Sequence, residues 1–179
     1  GIPLYAVKQI AKVKDDIYLR NKTAVEILIL FLSVTMIGYI VVAVLSVTVE
    51  KINSEWPLFL LLSLHLILVS LGSEWFYQGV EDFKYISIRS IIVRLITLIS
   101  LFVFVRTKDN LYVYALLLVL AEAGNNLFNF IHLRKYISAK SIPFKELNIK
   151  HHIGPAVKIF ILNIIISLYV NLDSVMLGF

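Results

Sequence analysis

The 179-residue sequence has no cysteine, only seven glycines and only four prolines. Without cysteine it can form no disulfide, no thiolate metal site and no cysteine nucleophile. So little glycine and proline excludes a collagen-like or low-complexity chain. Charge is scarce too: 16% of the residues are Asp, Glu, Lys or Arg, against about 25% in ordinary soluble domains. Apolar residues take that place, at 59% of the chain and a mean hydropathy of +0.86. Both departures point to a membrane protein rather than a soluble domain. The remaining charge is unbalanced, seventeen Lys and Arg against twelve Asp and Glu, and in a membrane chain such an excess reads first as a topology signal. The sequence starts at Gly1 and stops at Phe179 directly after an apolar run, so it reads as a piece of a longer membrane protein.

A membrane span needs roughly 20 mainly apolar residues. Five stretches qualify: Ile27 to Val49, Pro57 to Gln78, Ile88 to Val105, Leu111 to Leu133, and Pro155 to the end. The expected fold class is therefore all-α and polytopic; strand-like alternation is absent, which argues against a β-barrel. There is no basic start and no small-residue cleavage site of the signal-peptide kind. Of the Lys and Arg residues between spans, twelve fall in alternate connections on one side and three on the other. The positive-inside rule puts the twelve in the cytoplasm, at residues 1–24, at the connection with Lys84 and Arg89, and at residues 134–154. Within residues 1–24, Leu4, Val7, Ile10 and Ala11 recur at helical spacing opposite Lys8 and Lys12. Such a basic amphipathic helix either rests among anionic headgroups or serves as a solvated connector.

Polar residues fall on single faces of the spans. On the fourth, Glu122, Asn125, Asn126 and Asn129 lie within about 100° of arc. Ser63, Ser70, Glu74, Tyr77 and Gln78 share a face of the second span, and Ser87, Ser90, Arg94 and Thr97 one of the third. Asn163, Ser167, Asn171 and Ser174 form a stripe on the fifth, beside Lys158 and Asp173, while the first has a weak cluster of Thr35, Tyr39 and Ser46. A lone hydroxyl in such a helix bonds its own backbone or packs between helices. Ionisable groups differ, because a charge near the bilayer centre costs about 2.5–3.5 kcal/mol and is retained for a partner or a pathway. Stripes on four helices favour a wet cavity, with spans two to four turned towards it and span five standing across it. The bland alternative for Arg94 and Glu122 is a structural ion pair, and for Glu74 and Lys158 it is snorkelling to the interface.

His65 reads as a packed histidine, and His151 and His152, adjacent in sequence, make a weak metal signal. No Gly-rich phosphate loop, H-E-x-x-H or G-x-S-x-G is present. The reading is of a protein that is not an enzyme, with no cofactor and no metal. Basic residues mix with aromatics only at membrane edges, so nucleic acid is not an expected partner.

Three stretches carry a family resemblance: GIPLYAVKQIAKVKDD at residues 1–16, EWFYQGVEDFKYISIRSIIVRL at 74–95, and YVNLDSVMLGF at 169–179. They resemble the polysaccharide and O-antigen exporters, the lipid-linked oligosaccharide flippases of the multidrug/oligosaccharidyl-lipid/polysaccharide exporter superfamily. The resemblance implies that the five spans are helices three to seven of a two-lobed bundle of twelve to fourteen. Residues 1–24 are then the end of an earlier helix plus an amphipathic cytoplasmic segment, and 25–133 four transmembrane helices of the N-terminal lobe. Residues 134–154 become the cytoplasmic inter-lobe linker, and 155–179 the first helix of the C-terminal lobe.

The implied activity is flipping of an undecaprenyl-diphosphate-linked oligosaccharide from the cytoplasmic to the outer leaflet of the cell membrane. A diphosphate crossing a low-dielectric layer needs cations, for which Arg94, Arg89 and Lys158 are the candidates; Asn125, Asn126, Asn129 and Gln78 are polar groups to line a sugar groove. Asp173, Glu122 and Glu74 are the candidates for coupling to a proton or sodium ion. The rival readings are a multidrug or cation antiporter of the same fold, a membrane-embedded enzyme of the same pathway, and a scaffold whose stripes serve helix packing alone.

Overall fold

The computed structural model describes residues 2–49, 56–107, 110–137 and 142–176, the side chains of 122, 123, 144 and 172–176 excepted. Among these residues seven α-helices follow in order: α1 (Ile2–Lys12), α2 (Ile17–Thr48), α3 (Trp56–Leu71), α4 (Glu74–Gly79), α5 (Phe83–Phe104), α6 (Leu111–Tyr136) and α7 (Ile149–Met176), with a 3₁₀ turn at Phe144–Glu146. No strand occurs among the described residues. Among the described residues, four stretches are long and apolar enough to cross a membrane: Ile17–Thr48, Trp56–Gly79, Phe83–Phe104 and Ile149–Asn171. Leu111–Ala121 and Gly124–Tyr136, which meet at 43°, pass the same test together and make a fifth when counted as one span. The protein is an all-α, multi-pass membrane protein.

Polar residues at the helix starts fix where α2, α5 and α7 begin. The Asp16 carboxylate accepts the Leu19 N–H at 3.0 Å, Asp82 accepts that of Tyr85 at 3.3 Å, and the Asn148 side-chain oxygen accepts that of His151 at 3.3 Å. Each satisfies one of the unpaired N–H groups of a first turn, a contribution of about 1 kcal/mol. These caps shift two boundaries from the sequence expectation. The first span starts ten residues before Ile27, and α7 starts at Ile149, so that Pro155 lies inside the helix rather than at its start.

The second span is broken. Gly72 and Ser73 separate α3 from α4, with Ser73 in the left-handed region at φ 43°. Glycine is required at 72 because a Cβ there would run into the side-chain amide of Asn126. Gly79 is equally constrained, since a Cβ would stand 2.6 Å from that of Ile10 on α1. Through this approach α1 buries Tyr5, Ala6 and Ile10, while Leu4 and Ala11 stay exposed. The buried face of α1 is thus offset from the stripe read in the sequence, and it packs on protein.

The buried core lies at one end of the bundle. Ala6 and Ile10 of α1, Ala24, Ile27 and Phe31 of α2, Trp75, Phe76 and Tyr77 of α4, and Leu133 of α6 form one cluster. Phe31 and Trp75 stack there at 6.0 Å, nearly parallel. Lys14 pairs with Glu81 at 2.9 Å, Tyr136 donates to Asp82 at 3.3 Å, and Tyr18 donates to Glu146. The three basic connections therefore meet at the same end. Towards the other ends, side chains such as Met36, Ile99, Phe102 and Tyr169 stay exposed. An apolar surface this continuous calls for lipid or further helices around it.

Candidate functional site

Arg89, on the second turn of α5, is buried at 7% exposure. Its Nε donates to Asn125 Oδ1 at 3.2 Å, Nη1 donates to Asn129 Oδ1, and Nη2 faces Glu74 Oε2 at 3.3 Å. All three guanidinium nitrogens are thus engaged inside the protein, and the group also lies over the Tyr85 ring. Asn129 is the hub. Its Nδ2 donates at 2.6 Å to the carbonyl of Gly72, which the break after α3 leaves without a helical partner. The Asn129 carbonyl in turn accepts the Tyr77 hydroxyl at 2.9 Å. Gln78 donates to the free side of Glu74 at 3.2 Å.

Three of the residues read from the stripes, Glu74, Asn125 and Asn129, are therefore brought together with the candidate cation Arg89, with Asn126 and Gln78 beside them. The expected wet cavity is corrected here. Asn125, Asn129 and Arg89 are buried and bonded to one another across the interface of α4, α5 and α6. Each of these three side chains has a partner in protein, so they hold the helices together. The same holds between α2 and α3, where Thr35 bonds Ser70, and the Tyr39 hydroxyl donates to the Ser63 carbonyl at 2.9 Å. The ion pair weighed as the alternative for Arg94 and Glu122 has a counterpart in Arg89 and Glu74. Glu74, offered for ion coupling, sits beside a permanent cation.

Arg94 is elsewhere. It lies on a different face of α5 from Arg89, exposed, with no hydrogen-bond or ion-pair partner among the described residues. Ser87 on the same face is exposed as well, while Thr97 donates to its own backbone at Val93. On α7, Lys158, Asn163 and Asn171 are exposed, and both amides donate to carbonyls one turn back. Glu122 and Asp173 lie outside the described side chains. Beside the Arg89 network, a groove of about 460 Å³ runs along α5 past Lys84, Ile88, Ile92 and Phe128.

The family model of polysaccharide biosynthesis proteins matches residues 1–179. The chain belongs to that family. No curated protein and no solved structure matches it. Among polysaccharide biosynthesis proteins, then, this chain is a multi-pass helical member whose polar stripes divide in two. Among the described side chains, Thr35, Tyr39, Ser70, Glu74, Tyr77, Asn125 and Asn129 are spent on helix contacts, while Ser87, Arg94, Lys158, Asn163 and Asn171 are exposed.

One cluster escaped the sequence reading. Tyr5 of α1, Glu26 of α2 and His152 of α7 meet at the shared end of the bundle, all buried. The Tyr5 hydroxyl lies 2.7 Å from His152 Nδ1, and His152 Nε2 lies 2.9 Å from Glu26 Oε2. Glu26 Oε1 accepts the Asn148 N–H at 2.7 Å. Burial, and then the Glu26 carboxylate, hold the Tyr5 hydroxyl above its ordinary pKa. The available signal was a lone Glu at the start of an uncharged apolar run, with a histidine pair opening the last span.

Proposed function

We propose that this polysaccharide biosynthesis protein is a transporter, not an enzyme, and that it flips a lipid-linked oligosaccharide from the cytoplasmic to the outer leaflet of the cell membrane. The observation that carries this reading is Arg94, an arginine deep in a membrane helix, uncovered and without a partner among the described residues. A cation at such depth is retained for a partner or a pathway. A diphosphate is a fitting cargo because the planar guanidinium can donate two parallel hydrogen bonds to phosphate oxygens. Lys158 and the exposed amides of α7 would face the headgroup and sugars, and the apolar flank of α5 leaves room for the isoprenoid tail. The basic end of the bundle is then cytoplasmic, and a proton or sodium ion drives the cycle through Asp173 or Glu122.

Variants of the full-length protein test the role of Arg94 by surface polysaccharide output in cells. Arg94→Ala should abolish output with insertion and expression nearly normal, and Arg94→Lys should restore only part of it. If Arg94 serves only to pair Glu122, the double change Arg94→Ala/Glu122→Ala recovers what each single change loses. That recovery would reject the cargo role.

A further inference from the structure

We infer that Tyr5, Glu26 and His152 form a proton-binding site that clamps the start of α7 against α1 and α2. The inference concerns a conformational site and holds whatever the cargo. The three side chains come from three helices and are 1%, 5% and 4% exposed. Tyr5 packs with Leu30 and Ala156, flanked by Ile2, Ile149 and Ile159, so the site is walled by apolar groups.

The hydrogen-bond inventory fixes what each atom does. Glu26 Oε1 accepts the Asn148 N–H, and Oε2 lies 2.9 Å from His152 Nε2; an ionised carboxylate can only accept, so with Glu26 ionised Nε2 is the donor. Nε2 therefore carries hydrogen, and Nδ1 is the atom that gains or loses a proton. With Nδ1 bare, the Tyr5 hydroxyl donates to it. With Nδ1 protonated, the imidazolium donates to the Tyr5 oxygen and faces Glu26 as an ion pair. The bond to Glu26 is then charged on both sides, and such bonds are roughly twice as strong as neutral ones. Acidification therefore tightens the contact between α7 and α2.

Among the described residues, the titratable and charged groups around His152 are few. Tyr5 faces it from α1 and Glu26 from α2, and His151 lies beside it on α7 with ring centroids 5.6 Å apart. Lys22 lies one turn before Glu26 on α2, and Glu146 before α7 is bonded to Tyr18. His152 is 4% exposed among the packed helices, so a change of charge at Nδ1 bears directly on how the start of α7 is held. Proton uptake and helix position are thereby linked.

Spin labels at Lys8→Cys on α1 and Ile153→Cys on α7, both exposed positions, report this contact in the full-length protein free of other cysteines, reconstituted in lipid nanodiscs. Between about pH 5 and about pH 8, where an imidazole changes charge, the inter-label distance should shift from a short, narrow population to a longer, broader one. His152→Gln and, independently, Glu26→Gln should each abolish that shift. A distribution unchanged over this range in the otherwise wild-type protein would overturn the inference, whatever the fate of the variants. So would a shift that persists in His152→Gln. The distance is read without substrate, so it is independent of whether the protein flips the proposed cargo.

Discussion

Asn129 concentrates the energetics of the buried network in one side chain. Asn129→Ala leaves the Gly72 carbonyl and one guanidinium nitrogen of Arg89 without their partners. An unsatisfied buried polar group costs about 1–3 kcal/mol, so thermal unfolding of the purified full-length protein should show a clear loss of stability. Asn163→Ala is the control, because that amide is exposed and bonds only its own helix; its midpoint should stay where it was. A helical wheel makes these two asparagines look alike, since it reports the face a residue occupies and not what packs there. The stripe of α6 was legible in the sequence, but its purpose was not: Asn125 and Asn129 bind other helices where a wet cavity was expected. That Arg89 rather than Arg94 would meet the stripe was not legible either, because the two cations are only five positions apart and the choice rests on how α5 packs on α6. Glu26 and His152 were hidden for a related reason: they are separated by 126 residues and meet only in the folded chain.

At the scale of elements, the sequence legibly announced the spans, whose apolar length is a local property. The break at Gly72–Ser73 was not legible, because the carbonyl it frees is satisfied by Asn129 from another helix. Nor was the offset face of α1, which is set by the close approach of Gly79 to Ile10. That approach gives a prediction. Gly79→Ala forces α1 away from α4 and should destabilise the protein by about 1–3 kcal/mol, the usual cost of overpacking. Gly154→Ala should do the reverse. A Cβ at 154 meets nothing within 4 Å, and alanine in a helix is favoured over glycine by about 1 kcal/mol. Unfolding midpoints of the two variants, measured side by side, check both signs.

For the whole molecule, sidedness and cargo are the claims to test. The three basic connections meet at one end of the bundle through Lys14–Glu81, Tyr136–Asp82 and Tyr18–Glu146. Cysteines placed at Lys8, Lys84 and Lys150 should therefore be protected together from a membrane-impermeant reagent added to intact cells, and one at Arg106 should be labelled. The direct test of the central claim is transbilayer movement itself. Full-length protein is reconstituted in liposomes with a fluorescent polyprenyl-diphosphate oligosaccharide, and the fraction reachable by an external quencher is followed in time. The account predicts that the protein speeds translocation well above protein-free liposomes, and that Arg94→Ala returns it to that level. Translocation by the wild-type protein at the protein-free rate would contradict it.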